Sequence, residues 1–143
     1  MTRDDVEQQA YERISSGCNC AESVLQTAIS HCGIPSDGTP MRIATCFGGG
    51  VGRSQDELCG ALAGGIMALG LGYGRDVAGT PCDTAQDLAA TFRNRFIERN
   101  GSSTCRELMA GFGPQENWSA CKRLVADTAG ILHDLLQKDR TRT

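Results

Sequence analysis

CGALAGGIMALGLGYG, residues 59–74, is most of an uncharged run between Glu57 and Arg75 that carries six glycines. The run falls just short of the length that spans a bilayer, which makes it a buried helix rather than a membrane anchor. Each interior glycine lowers helix propensity by about 1 kcal/mol relative to alanine, so a helix from Leu58 to about Tyr73 would unravel in isolation. Packing has to hold it. Gly60, Gly64 and Ala68 lie one turn apart and form a smooth face that another helix, or a bound group, can approach closely.

The neighbouring segments supply helices to pack around it. From Cys20 the set Cys20, Ala21, Val24, Leu25, Ala28, Ile29, Cys32 repeats at the spacing of one helix face, and Gly33 and Pro35 stop it. Residues 80–101 read as the clearest helix, with Thr80 as cap, Pro81 and Asp83 in the first turn, and Gly101 at the end. Its inward stripe is Cys82, Ala85, Leu88, Ala89, Phe92 and Phe96. A helix from about Ser119 to Gln137 turns Cys121, Val125, Thr128, Leu132 and Leu135 to one side. A short helix runs from Cys105 to about Ala110, and a polar one from Arg3 to Ser15 with Val6, Ala10 and Ile14 as its apolar edge. No repeat, linker or low-complexity stretch divides the chain. The expectation is an all-α fold, a single compact bundle of about five to seven helices with a glycine-rich loop.

At 143 residues the chain is long enough to bury on the order of 70% of its unfolded surface in one core, without disulfides. Its 14 basic and 17 acidic residues are scattered, which leaves no footprint for nucleic acid or an anionic membrane. The start, MTRDDVEQQAYER, lacks the basic and then apolar pattern of a secretory signal, so the expected location is cytoplasmic. In that reducing compartment eight cysteines point to metal ligands or working thiols rather than four structural disulfides.

The glycine-rich stretch CFGGGVGR, residues 46–53, is not a nucleotide site. A phosphate-binding loop needs a glycine where Phe47 stands and Lys followed by Ser or Thr after Gly52, where Arg53 and Ser54 stand. A dinucleotide fingerprint fails because its third glycine would fall at Arg53, with no strand leading in. The loop is better placed to serve a cysteine site, with Gly48, Gly49, Gly50 and Gly52 offering amides and Arg53 a nearby charge; Glu57 is a further candidate charge, or simply solvated.

None of Cys18, Cys20, Cys32, Cys46, Cys59, Cys82, Cys105 and Cys121 forms a C-x-x-C pair, and His31 and His133 complete no zinc motif. Any metal site must be assembled from distant segments. Cys20, Cys59, Cys105 and Cys121 each fall at the beginning of an expected helix, where unpaired amides and the positive dipole end favour thiolate. Four such starts converging would make a thiolate-rich pocket. The plain alternative is cysteine as a small buried hydrophobe, the reading given to Cys32, Cys46 and Cys82.

GCNCAESVL (17–25), FGGGVGR (47–53), CGALAGGIMALGLGYG (59–74), CRELMAGFG (105–113) and CKRLVADTAGIL (121–132), taken in order, resemble the redox-active protein family called C_GCAxxG_C_C. The resemblance covers nearly the whole chain and carries the family's four shared cysteines to Cys20, Cys59, Cys105 and Cys121. It implies a small bacterial or archaeal helical protein with redox activity, an oxidoreductase or electron carrier working with a redox partner protein. A related cysteine region in split-Soret cytochromes, where cysteines hold an iron–sulfur centre, implies a cluster here. No C-x-x-C-H motif is present, so haem is not expected. Two versions stay open: the four cysteines as iron–sulfur or other metal ligands, or a reversible dithiol with Cys59, beside Arg53, as the low-pKa attacker. Zinc or copper(I) binding without redox chemistry, and a helical binding module with structural cysteines, are the alternatives. A monomer and a homodimer fit the composition equally.

Overall fold

The chain folds as an all-α bundle, seen in a computed structural model that describes residues 1–38 and 40–141. Helix α1 spans Arg3–Ser15, α2 Cys20–His31, α3 Pro40–Thr45, α4 Gly60–Tyr73, α5 Asp83–Asn100, α6 Cys105–Phe112 and α7 Ser119–Thr141. No strand is formed among the described residues; an isolated antiparallel bridge joins Leu58 to Thr104.

The first two helices start on reciprocal caps. Thr2 Oγ1 accepts the Asp5 amide while the Asp5 carboxylate accepts the Thr2 amide, and Asn19 and Glu22 make the same exchange ahead of α2. Val6 and Ala10 then bury the apolar edge of α1 against α7. One side chain adds a polar clasp to this pair: Arg3 reaches Glu7 at 2.7 Å on its own helix, and Asp134 at 2.6 Å and Asp127 at 3.0 Å on α7. The arginine is a third exposed, so the clasp orients the helices more than it stabilises them.

Helix α4 runs through the middle, with Ala61, Leu62, Ala68 and Leu69 essentially inaccessible. Its smooth face works as the glycine spacing implies. A Cβ on Gly64 would run into the Ala21 carbonyl oxygen of α2, and one on Gly65 into the ring of Phe92 from α5. The lost propensity is offset by dispersion and burial at backbone-to-backbone range, which a larger residue would forbid. Helix α7 closes the core with Val125, Thr128, Leu132 and Leu135, as expected, and also with Leu124, Ile131 and Leu136. Thr128 stays satisfied by donating to the Leu124 carbonyl at 2.7 Å.

Several boundaries differ from the sequence reading. Cys59 and Cys82 are the residues that precede α4 and α5, so Leu58 lies outside α4, and Thr80 and Pro81 lie outside α5. The turn at Arg75–Thr80 explains the second shift, because Thr80 spends its amide on Val77 and its carbonyl on Arg75 instead of starting a helix. Helix α3 was not anticipated: at six residues it is too short to show a period. No helix among the described residues is long and apolar enough to cross a membrane.

Candidate functional site

A non-helical stretch ahead of α4, paired with the start of α6, brings two of the cysteines together. Gln55 to Cys59 runs antiparallel to Ser103 to Arg106: the Cys59 amide donates to Ser103 (2.8 Å), the Cys105 amide to Glu57 (3.0 Å) and the Arg106 amide to Gln55 (2.8 Å). This short pairing sets Cys59, just ahead of α4, beside Cys105, at the first position of α6. Cys20 arrives from the first turn of α2, where its sulfur sits in the space that a Cβ on Gly60 would fill. Cys121 comes from the first turn of α7. Its amide donates to Gln115 Oε1 (2.9 Å) and its sulfur accepts from Gln115 Nε2 (3.2 Å).

All four sulfur-bearing residues line one cavity of about 890 Å3. Cys20 perturbs the other three electrostatically, which makes it their common neighbour. Cys18 and Cys46 line the same cavity, whereas Cys32 and Cys82 do not. The cavity thus gathers the four cysteines expected at helix starts together with Cys18 and Cys46, and Cys46 is not mere packing: it is exposed there. All eight cysteines are free thiols and none lies at disulfide-bonding distance from another.

The glycine loop closes one side. Gly49, Gly50, Val51, Gly52 and Arg53 all have φ between 61° and 69°, a left-handed turn in which valine and arginine each carry about 1–2 kcal/mol of steric penalty. Internal hydrogen bonds offset part of it: Gly52 to Cys46 (2.9 Å), Arg53 to Gly48 (3.2 Å), Gln55 to Gly49 (2.9 Å), and Ser54 Oγ to the Gly50 carbonyl (2.7 Å). Arg106 clamps the far end through the Ser54 carbonyl (3.0 Å) and Asp56 (2.7 Å). The amides of Gly52 and Arg53 are thus committed within the loop. What the loop contributes to Cys105 is proximity, since a Cβ on Gly50 would stand 2.7 Å from the Cys105 Cβ. Gly48 presses on the Asn19 side chain in the same way, and Gly49 and Gly52 also line the cavity. Glu57 is exposed, and its contribution is its carbonyl.

Burial decides the thiol electrostatics. Cys59 is pushed up from about 9 to about 12, first by burial and then by Cys20, with the Ala61 and Leu62 amides acting in the opposite direction without closing a capping hydrogen bond. Burial also raises Cys105, Cys121 and Cys18; Arg106, Gln115 and Arg13 respectively oppose it. The expected low-pKa attacker at Cys59 is therefore not present: desolvation outweighs the helix start. Arg53 lines the cavity but is not among the groups that shift Cys59.

His31 and His133 stand apart from the cavity. His133 is buried and in contact with the Met1 carbonyl (3.2 Å) and Asp134 (3.3 Å), the satisfied core histidine that an isolated position suggests. Among the described residues no three Cys, His, Asp or Glu side chains close on one point as ligands of a single ion do. Gln115, Arg106, Trp118 and Lys122 were not singled out from the sequence: Arg106 acts on residues 50 and 52 positions away, Gln115 reaches Cys121 through a turn that no sequence motif marks, and Trp118 and Lys122 reach the cavity only through the packing.

Residues 18–135 match the family described as "Putative redox-active protein (C_GCAxxG_C_C)", and the chain belongs to that family. The matched span contains all four cysteines of the central set and the whole glycine loop. No curated protein and no solved structure matches the chain.

Proposed function

We propose that Cys20, Cys59, Cys105 and Cys121 hold an iron–sulfur cluster and that the protein moves electrons through it. The observation that supports this reading is the convergence of four thiols, from four separate elements, on one cavity. The donor set fits: thiolate is the ligand that such clusters take, and the cavity the four cysteines line has a volume of about 890 Å3.

The bound cluster would supply one-electron chemistry. The chain's own contribution is to orient and tune the sulfurs. Gln115 fixes the Cys121 side chain and donates to its sulfur, the kind of contact that tunes a centre's potential. The pairing of 55–59 with 103–106 holds Cys59 and Cys105 in register, and the Arg106 clamp keeps the glycine loop over Cys105. The burial of Cys59 excludes water from that side. Burial and the raised pKa disfavour Cys59 itself as the attacking thiol of a dithiol pair.

The test is anaerobic purification followed by a visible spectrum and iron, acid-labile sulfide, zinc and copper analysis of one sample. The expected result is stoichiometric iron and sulfide, lost in Cys59→Ser and kept in Cys82→Ser, which lies away from the cavity. Stoichiometric zinc or copper without iron, or full iron in Cys59→Ser, would overturn the assignment.

A further inference from the structure

The cavity is larger than four cysteine ligands require, and its volume is in the range of small-molecule sites, about 300–1,000 Å3. Beyond the thiols its walls are mixed: Leu108, Phe112 and Val125 with Trp118 give an apolar part, and Asn19, Thr45 and Gln55 are among the polar residues. Three formally charged side chains other than cysteine line it: Glu22, Arg53 and Lys122. Glu22 is buried and committed, one carboxylate oxygen accepting the Asn19 amide (2.9 Å) and the other the Thr45 hydroxyl (2.8 Å).

The two cations are in a different state. Among the described residues Arg53, which is exposed, and Lys122, which is half-buried, make no ion pair; surface arginines such as Arg93 and Arg95 make none either, and what sets these two apart is that both line the cavity. They come from different elements, the glycine loop and the first turn of α7, in a chain whose net charge is -3. Two unneutralised cations at one cavity therefore run against the average charge of the molecule. Trp118 adds a second oddity. It is 55% exposed, and both it and Asn117 have a left-handed backbone, φ 59° and 52°. A large aromatic held out of the core on an unfavourable backbone gains little for folding but offers a flat face to something in the cavity.

We propose that this cavity binds a small organic anion with an apolar body, its charge taken by Arg53 and Lys122 and its body by Trp118 and the apolar wall. The proposal names the substrate class of the redox site and in that sense rests on the reading above. Apolar walls with a few convergent polar groups are the ordinary anatomy of a small-molecule site, and arginine and lysine are the ordinary recognition groups for carboxylate, sulfonate and phosphate. If the cations served only to balance thiolate charge, neutralising them would change metal content and leave anion preference untouched.

The test uses the full chain, purified anaerobically with its iron measured, and two probes with one ring system: 8-anilinonaphthalene-1-sulfonate and the neutral N-phenyl-1-naphthylamine. Trp118 is the chain's only tryptophan, so quenching of its emission reports probe bound to the chain, and the variant at the cavity residues assigns it to this site. The sulfonate should quench it with 1:1 stoichiometry and bind about ten-fold or more tightly than the neutral probe, and Arg53→Gln/Lys122→Gln should abolish that preference while keeping iron content and helicity. Equal affinities, no quenching, or a preference that survives in the double variant would overturn the proposal. Preference without iron removes the cluster and leaves the anion site standing; iron without preference does the reverse.

Discussion

Two glycine-rich stretches meet at Cys59, and they use the residue for opposite reasons. In the loop at 48–52 glycine admits a left-handed backbone and lets the chain touch Cys105; in α4 the backbone is ordinary helix, and the missing Cβ lets α2 and α5 come close. Both outcomes bear on the thiols, since Gly50 leaves room for Cys105 and Gly60 for Cys20. Glycine in these two stretches therefore serves close approach in one and both close approach and a left-handed backbone in the other.

The largest effect that would probe this junction is the ionisation of Cys59 in metal-free protein. Its folded pKa is raised to about 12, so its contribution to stability is complete below the ordinary thiol range near 9 and is lost as pH rises towards 12. One proton over that span corresponds to roughly 4 kcal/mol as an upper bound. Denaturant melts between pH 8 and 11 should show stability falling with pH, and Cys59→Ala should flatten the slope. A slope that is unchanged in the variant would mean that Cys59 is not sealed between the two stretches.

Next in size is Gly64→Ala. The added methyl meets the Ala21 carbonyl oxygen, a backbone atom that cannot turn aside. Overpacking costs about 1–3 kcal/mol and exceeds the gain of about 1 kcal/mol in helix propensity, so urea midpoints should fall. The loop predicts a similar loss of about 1–2 kcal/mol for Gly52→Ala by another route: its Cβ meets nothing, and only the left-handed backbone at φ 61° objects. A stability measurement beside a structure of each variant separates the two, with α2 displaced in the first and the loop rebuilt in the second. The smallest effect has the opposite sign. Gly70, exposed in α4 with open space around its Cβ position, should gain about 0.5–1 kcal/mol as Gly70→Ala. A loss there would break the distinction between packed and unpacked faces of α4.

Much of the bundle was legible. The stripes Val24, Leu25, Ala28 and Leu88, Phe92, Phe96 are buried as their spacing implies, and the Gly60–Gly64–Ala68 face meets a neighbouring helix. Helix α3 and the start of α5 were not read correctly, one too short for periodicity and the other displaced by a turn whose carbonyl is held by Arg75. At the site, Cys20, Cys59, Cys105 and Cys121 were legible from their place at helix starts, but the sign of the Cys59 shift was not. Dipole and amides can be read from position, whereas desolvation depends on what the rest of the chain lays over the sulfur.

By itself the sequence determined the helices, their inward faces and the four helix-start thiols, because caps, periodicity and breakers act over a few residues. The tertiary structure decided that these thiols share one cavity with Cys18 and Cys46, that Gln115 holds Cys121, and that Arg53, Lys122 and Trp118 line the same cavity. Those relations join residues from different elements, and only the packing of α2, α4, α6 and α7 around one space brings them within reach.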